Sequence, residues 1–209
     1  MRGTELAAVV DRALERLAAS RNELRDLDAA LGDGDLGVTV SRGCEAVRVK
    51  LGGLDDPSPG QVLRTVGSAF ANANPSTMAA LVGGGLLAAA KVVDDQDDLG
   101  RADAVRIVRA AADSIAARGK SELGDKTILD AIIPSLVALE VSTEATGPVM
   151  AAMVAAAARA VEETALLQSR RGRAAWVGER SIGHPDPGAT AYLRLLEAII
   201  AVWPDRGDR

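Results

Sequence analysis

Apolar residues recur every three to four positions along almost the whole chain, which is the spacing that places them on one face of an α-helix. The first such segment, with Leu6, Val10 and Leu14 on one face, follows Thr4 as its expected N-cap. Eight segments show this pattern, at about 4–17, 36–51, 59–72, 76–90, 101–118, 127–140, 148–168 and 187–202. The pattern predicts an all-α fold of eight antiparallel helices joined by short connections.

Local signals at the ends of these segments support the helices. Ser58, Pro59 and Gln61 have the spacing of an N-cap, a first-turn proline and a capping-box residue. Three consecutive glycines at 83–85 lie inside the fourth segment, where each costs about 0.8–1 kcal/mol relative to Ala, so they need a packing or ligand reason. No linker interrupts the chain, which predicts one domain over 1–209.

Composition and charge exclude several classes of function. The 209 residues carry 24 basic and 29 acidic side chains, and aromatic residues make up 2%. This balance gives no basic surface for nucleic acid, and the few aromatics give no platform on which bases could stack. Cys44 is the single cysteine and cannot form an internal disulfide. No signal peptide or membrane-spanning run is recognised, so we expect a cytoplasmic protein that does not act at a membrane.

The connection at 27–37 holds three carboxylates among glycines. Asp28, Asp33 and Asp35 are spaced as D-x4-D-x-D. Carboxylate oxygens are natural ligands of Mg²⁺, which commonly lies between one or two carboxylates and substrate phosphates. The same residues are equally typical of a polar turn with Asx-type hydrogen bonds. The spacing does not fit an EF-hand, because Leu36 interrupts the required acidic pattern.

Two later connections are also rich in glycine and polar residues. In the connection at 119–130, Asp125 precedes Lys126 and Thr127, which is typical of a helix start with Asp125 as cap and does not match a Walker A loop. The connection at 178–189 contains Arg180 and the only histidine, His184. A single histidine without a partner is more often structural. A guanidinium matches phosphate bidentately, so Arg180 is the stronger functional candidate.

Taken together, these connections indicate a phosphate site. Three aspartates would hold Mg²⁺, an arginine and glycine-rich backbone would hold phosphate, and a helix N-terminus would supply free N–H donors. In an antiparallel bundle the connections can gather at one end.

The same connections jointly resemble the nucleotide-binding L domain of dihydroxyacetone kinases, the DhaL or DAK2 family. The resemblance covers 27–37, 41–43, 124–131 and 178–189, in that order, over roughly 160 residues. It implies an eight-helix antiparallel up-and-down barrel that binds ADP or ATP at one end through two Mg²⁺ ions. The Mg²⁺ ligands that it implies are Asp28, Asp33 and Asp35.

The resemblance also implies a set of nucleotide contacts. Arg180 would contact the phosphates, and Ile128 stands where the family often has Met beside the adenine. The other implied contacts are Thr39, Ser76, Thr77, Gly119, Asp186, Pro187 and Gly188. No catalytic residue beyond this metal-nucleotide site is implied for the chain.

The sequence departs from the family pattern at two places. Leu36 stands where the family usually has His, which removes one donor beside the phosphates. Residues 74–78 (Asn-Pro-Ser-Thr-Met) stand where the family has a glycine-rich phosphate loop. Ser76 and Thr77, with their backbone N–H groups at a helix start, would cradle phosphate in its place.

In this family a separate K domain holds the ketose acceptor covalently through a histidine. The resemblance therefore predicts an L subunit, a kinase component that transfers phosphate to a small ketose on a K-type partner. Its nucleotide would be exchangeable ATP, or a retained ADP that a phosphotransferase-system protein rephosphorylates. Two alternatives stay open at this point: a non-catalytic module of the same fold that binds nucleotide or docks on a regulator, and a purely structural helical scaffold.

Overall fold

A computed structural model describes residues 1–204, which form helices connected by short turns. Nine α-helices and one 3-10 helix lie within these residues, and the only β feature among them is an isolated bridge between Arg2 and Asp98. The all-α prediction is confirmed. The helices are α1 (Gly3–Ala18), α2 (Arg21–Leu31), α3 (Leu36–Leu51), α4 (Pro59–Asn72), α5 (Thr77–Lys91), α6 (Arg101–Gly119), α7 (Leu129–Val141), α8 (Thr146–Thr164), the 3-10 helix (Arg173–Ser181) and α9 (Pro187–Val202).

All eight predicted helices are present, and the sequence pattern misses two further helical segments. One is α2, whose buried positions are only Leu24 and Leu31. Its mostly polar sequence leaves too few apolar positions for the periodicity to stand out. Asp28 therefore lies on a helix and not in a loop. The other is the short 3-10 helix, which is interrupted by a kink at Gly178.

The start of α4 agrees with the capping box predicted from the sequence. Ser58 Oγ accepts from the Gln61 amide at 3.2 Å, and the Ser58 amide donates to Gln61 Oε1 at 2.8 Å, as predicted for α4. At α1 the predicted cap is wrong. Thr4 lies inside the helix, and Arg2 is the N-cap residue, with its amide donating to Glu5.

The chain divides into two compact units. Unit 1 comprises Met1–Ala19 and Val38–Lys120. Its core includes Leu63, Ala89, Ala90 and Val93, with Leu6, Leu86 and Ile107 packed against them.

The glycine run of α5 has a packing reason within unit 1. A Cβ at Gly83 would lie 2.6 Å from the Ala71 side chain of α4 and 2.6 Å from the Gly67 carbonyl. At Gly85 it would lie 3.1 Å from the Ala111 carbonyl of α6. The run thus lets α5 pack closely against helices on two sides, and the cost of the glycines is offset by this contact.

Unit 2 comprises Ser20–Gly37 and the chain from Ser121 onward. Its core is made of small and aliphatic residues from α7, α8 and α9, namely Ala131, Ala157, Val161, Ala189 and Leu193. These small side chains let the three helices lie close together. The single-domain prediction stays a prediction. Among the residues that the structure describes, no helix is long and apolar enough to span a membrane.

Candidate functional site

Three carboxylates meet in unit 2, at the C-terminal end of α2 and the turn after it. Asp28 lies in the last turn of α2, and Asp33 and Asp35 lie between α2 and α3. One carboxylate oxygen of each residue lies within 4.8 Å of the others. Asp28 and Asp35 are half-buried and Asp33 is exposed. The structure therefore brings together all three residues that the sequence names as metal ligands.

Local backbone geometry builds this carboxylate cluster. Leu36, the first residue of α3, donates its amide to Asp28 Oδ2 at 3.1 Å, which ties the end of α2 to the start of α3. Gly34 has φ +73°, a conformation that side chains other than Asn and Asp rarely adopt. A Cβ at Gly37 would overlap the Arg21 carbonyl, so only glycine permits the close approach of the two helices. The short Gly-Asp-Gly-Asp turn thus follows from its glycines.

The electrostatics of the cluster suit a hard cation. Burial, followed by the nearby Asp28 carboxylate, raises the pKa of Asp35, so the ionised cluster is unfavourable by itself. Two oxygens on opposite sides of Mg²⁺ stand about 4.2 Å apart, since each Mg–O distance is about 2.1 Å. The oxygens here, all within 4.8 Å of one another, are close to that spacing. The donor set, the spacing and the charge therefore fit Mg²⁺.

Arg173 is the basic side chain that contacts this cluster. It is the first residue of the 3-10 helix, and its guanidinium forms ion pairs with Asp33 and with Asp35, the latter at 3.1 Å. Arg180, which the sequence favoured for phosphate, lies at the other end of the same 3-10 helix, beyond the kink at Gly178, and is exposed like Arg173. The sequence alone did not indicate Arg173, because this residue lies outside the 178–189 motif. No local pattern in the sequence marks it, since its partners Asp33 and Asp35 come from a distant segment.

The connection before α7 is held by Asp130. Its two carboxylate oxygens accept from the Gly124 amide at 2.6 Å and the Thr127 amide at 2.7 Å. The cap predicted at Asp125 is wrong, because the N-cap residue of α7 is Ile128 and the helix begins at Leu129 instead of 127. Asp125 is buried and has other partners, among them the Arg171 side chain at 2.8 Å. That hydrogen bond is the main cause of the lowered pKa of Asp125.

Asp186, Gly188 and Ile128 lie side by side where α9 begins. Asp186 is the N-cap of α9 and accepts from the Ala189 amide at 2.7 Å. A Cβ at Gly188 would lie 3.0 Å from Asp186 Oδ2 and 3.5 Å from Ile128 Cβ. Pro187 is the buried first residue of α9. The structure thus places four predicted nucleotide contacts of unit 2 next to each other.

Asp186 is also the most perturbed carboxyl in this region. It is 7% exposed, and burial raises its pKa to about 7. The nearby Asp130 carboxylate contributes to this rise, whereas the Ala189 amide and Lys126 oppose it. Carboxyls with strongly shifted pKa values are concentrated at functional sites.

The remaining predicted contacts lie in unit 1. Thr39 is buried in α3, and its hydroxyl accepts from Asn74 Nδ2 at 2.9 Å. The Asn74 carbonyl accepts from the Ser76 amide at 2.8 Å, so Thr39 and Ser76 are connected through one residue. Ser76 is the N-cap of α5, and Thr77 is its first residue. Gly119 is the last residue of α6.

The model of the DAK2 domain matches residues 30–201 of the chain. The chain belongs to this family. The DAK2 domain described here is 32% identical to the ADP-binding subunit DhaL of the PEP-dependent dihydroxyacetone kinase of Escherichia coli, over 94% of the chain and 95% of that protein. It is 31% identical to a subunit of the same description from Listeria innocua, over 89% of both.

Other relatives are longer than this DAK2 domain. An L-erythrulose 1-kinase of Mycolicibacterium smegmatis is 35% identical over 93% of the chain, which spans only 34% of that protein. A crystal structure of the dihydroxyacetone kinase from C. freundii, in complex with AMP-PNP and Mg²⁺, matches with a TM-score of 0.76 at 21% identity. That match covers 93% of the chain and 33% of the kinase. At this identity it shows the shared fold.

Proposed function

We propose that this DAK2 domain is the nucleotide-binding L subunit of a kinase of the dihydroxyacetone kinase type. It would use ADP or ATP with Mg²⁺ to transfer a phosphoryl group to a small ketose on a separate K-type subunit. The observation that carries the proposal is the cluster of three carboxylates in contact with Arg173. Relatives named as ADP-binding subunits of dihydroxyacetone kinases support it.

In this proposal the carboxylate cluster holds the metal. Asp28, Asp33 and Asp35 offer six oxygens, of which Asp28 Oδ2 accepts from the Leu36 amide. Three carboxylates can bridge two ions, which is the number that the family resemblance implies. Mg²⁺ bound there would neutralise phosphate charge and favour an in-line arrangement of the phosphoryl group.

We assign the phosphate contact to Arg173. Its guanidinium presents a planar fork of donors that fits carboxylate and phosphate oxygens alike. From its position beside Asp33 and Asp35 it would hold phosphate oxygens at the metal. Arg180 stays a predicted contact, as do Thr39, Ser76, Thr77 and Gly119.

The adenine contact is proposed for the start of α9. Ile128 supplies an apolar side chain, and the absent side chain of Gly188 leaves room beside it. The chain has few aromatics, so we expect aliphatic contacts and backbone groups to hold the base. The protein's contribution to the reaction would be positioning and electrostatics, with no group of this chain accepting the phosphate.

A non-catalytic nucleotide-binding or regulator-docking module is the second candidate. Leu36 favours it, because it is 6% exposed and contributes an apolar side chain at the position of the usual family histidine. The loss of one phosphate donor would weaken transfer more than it weakens binding if that donor acts mainly in the transition state.

Reconstitution separates the two candidates. The chain would be mixed with a K-type subunit, dihydroxyacetone or erythrulose, Mg²⁺ and either ATP or a phosphotransferase-system donor protein. Phosphorylated ketose is expected only when both subunits are present. Product formed by this chain alone would contradict the subunit proposal. Nucleotide binding without product under every donor and partner would support the second candidate. The cytoplasmic location stays a prediction.

A further inference from the structure

Lys126 is a buried lysine that joins two distant segments of unit 2. Its side chain is 1% exposed, and Nζ donates to the carbonyls of Leu167 at 3.0 Å and of Ser181 at 2.5 Å. Its backbone has φ +61°, a costly conformation for a residue with a long side chain. Burial lowers the pKa of Lys126, against an opposing effect of Asp186. Burying an ammonium group costs folding free energy unless its hydrogen bonds are satisfied. The two carbonyls therefore stabilise Lys126 in its buried position.

The preceding residue, Asp125, contacts the part of the chain that lies between Leu167 and Ser181. Its carbonyl accepts from the Arg170 amide at 3.1 Å, and its carboxylate accepts from Arg171 Nε at 2.8 Å. We call residues 167–181 the arginine strap. The two ends of the strap also contact each other, because the Ser169 amide donates to Ser181 Oγ at 2.9 Å.

The arginine strap carries Arg173. Both of its ends are held by Lys126, while Asp125 holds the residues that lead up to Arg173. Between these attachments Arg173 reaches the Asp33 and Asp35 carboxylates. The strap that carries this guanidinium is thus attached to a residue as far as 55 positions away in sequence.

We infer that Lys126 is a positioning residue for the phosphate-binding site: together with Asp125 it holds the arginine strap, and the attached strap sets Arg173 at the carboxylate cluster. The inference rests on the proposed function. Lys126 itself has its donors directed to Leu167 and Ser181, so it acts through Arg173 and does not contact phosphate.

The test compares ADP with adenosine. Lys126→Met keeps an unbranched side chain that is one heavy atom shorter and removes the donors. Lys50→Met, at an exposed lysine in unit 1, is the matched control. Calorimetry with Mg²⁺ would give the affinity for ADP, and competition would give the affinity for adenosine. We expect Lys126→Met to bind ADP about tenfold or more weakly, since a charge-assisted hydrogen bond is commonly worth that factor. Adenosine binding and the control should stay within about twofold of wild type.

A double variant shows whether Lys126 acts through Arg173. If it does, Lys126→Met adds no further loss of ADP affinity to Arg173→Ala, whereas independent effects would multiply. Circular dichroism checks the fold of each variant. If Lys126→Met does not fold, Arg171→Gln removes the exposed attachment of the strap and should weaken ADP in the same selective way.

The possible results distinguish a failure of the proposed function from a failure of the inference about Lys126. A wild-type chain that binds no ADP with Mg²⁺ contradicts the proposed function. A wild type that binds, together with a folded Lys126→Met that binds ADP equally well, overturns the inference alone. Equal losses for ADP and adenosine, or multiplied losses in the double variant, would also overturn it. If only Arg171→Gln can be measured, unchanged ADP binding by that variant would likewise overturn the inference.

Discussion

Arg173 Nη2 lies 3.1 Å from Asp35 Oδ2, although 138 residues of sequence separate the two. Asp35 lies in the turn before α3, and Arg173 begins the 3-10 helix before α9. The ion pair joins an acidic segment that suits a cation to a basic segment that suits an anion. A metal-phosphate ligand carries both charges, so this pair is the centre of the proposed site.

The two arginines of the 3-10 helix should differ in their effect on ADP. Arg173→Ala removes the guanidinium beside the carboxylate cluster, and we expect ADP affinity with Mg²⁺ to fall by about ten- to a hundredfold. Arg180→Ala, on the other side of the kink from the residue that contacts the cluster, should cause a smaller loss. Calorimetry on both variants gives the order. A larger loss for Arg180→Ala would return the phosphate contact to the residue that the sequence favoured.

Mg²⁺ should stabilise the chain through its carboxylate cluster. In Asp28→Asn the side-chain oxygen can still accept from the Leu36 amide, while one of three crowded charges is lost. We expect the variant to melt at or above the wild-type temperature without Mg²⁺, because the repulsion on Asp35 is reduced. Added Mg²⁺ should raise the melting temperature of wild type and of the exposed control Asp55→Asn more than that of Asp28→Asn. Equal Mg²⁺ effects in all three proteins would exclude Asp28 as a ligand.

The pH dependence of the unfolding free energy should reveal the titration of the Asp186 carboxyl. Burial raises its pKa to about 7, whereas an unfolded Asp titrates near 4. The folded state therefore binds more protons in this interval, and the contribution of Asp186 to stability is lost as the pH rises from about 4 to 7. Asp186→Asn stays neutral and keeps an oxygen for the Ala189 amide.

We therefore expect the two proteins to differ least near pH 4 and most at pH 8, with Asp186→Asn the more stable. At about 1.4 kcal/mol per pKa unit, the difference in unfolding free energy would reach up to about 4 kcal/mol. Urea titrations at pH 4, 6 and 8 measure it. Parallel pH profiles for the two proteins would show that Asp186 is not the group responsible.

Cys44 should be unreactive in the folded chain. It is buried in α3, and burial raises the pKa of its thiol to about 12. Thiolate is the reactive form, so native labelling with iodoacetamide at pH 8 should be slow, and unfolding in urea should make it fast. Rapid labelling of the native protein, at the rate seen in urea, would contradict the burial of this residue.

The helices could be predicted where apolar periodicity and capping residues agree, as at Ser58 and Gln61 of α4. The polar helix α2 could not, because Leu24 and Leu31 give it too sparse an apolar face. The sequence named Asp28, Asp33 and Asp35 since they lie close together along the chain. It missed Arg173 because the partners of that residue are set by the tertiary fold. Lys126 was missed for a related reason, as nothing in its neighbours indicates that it is buried.

Titration of Mg-ADP into wild type and Asp33→Asn, with Asp26→Asn as an exposed acidic control in the same segment, tests the central claim most directly. Asp33 contributes to the carboxylate cluster and contacts Arg173, so its neutralisation affects both the metal and the phosphate side of the site. We predict that wild type and Asp26→Asn bind ADP with Mg²⁺ and lose that binding when Mg²⁺ is removed, while Asp33→Asn binds at least about tenfold more weakly. Equal binding by wild type and Asp33→Asn, or ADP binding that does not depend on Mg²⁺, would contradict the assignment of the metal-nucleotide site to this cluster.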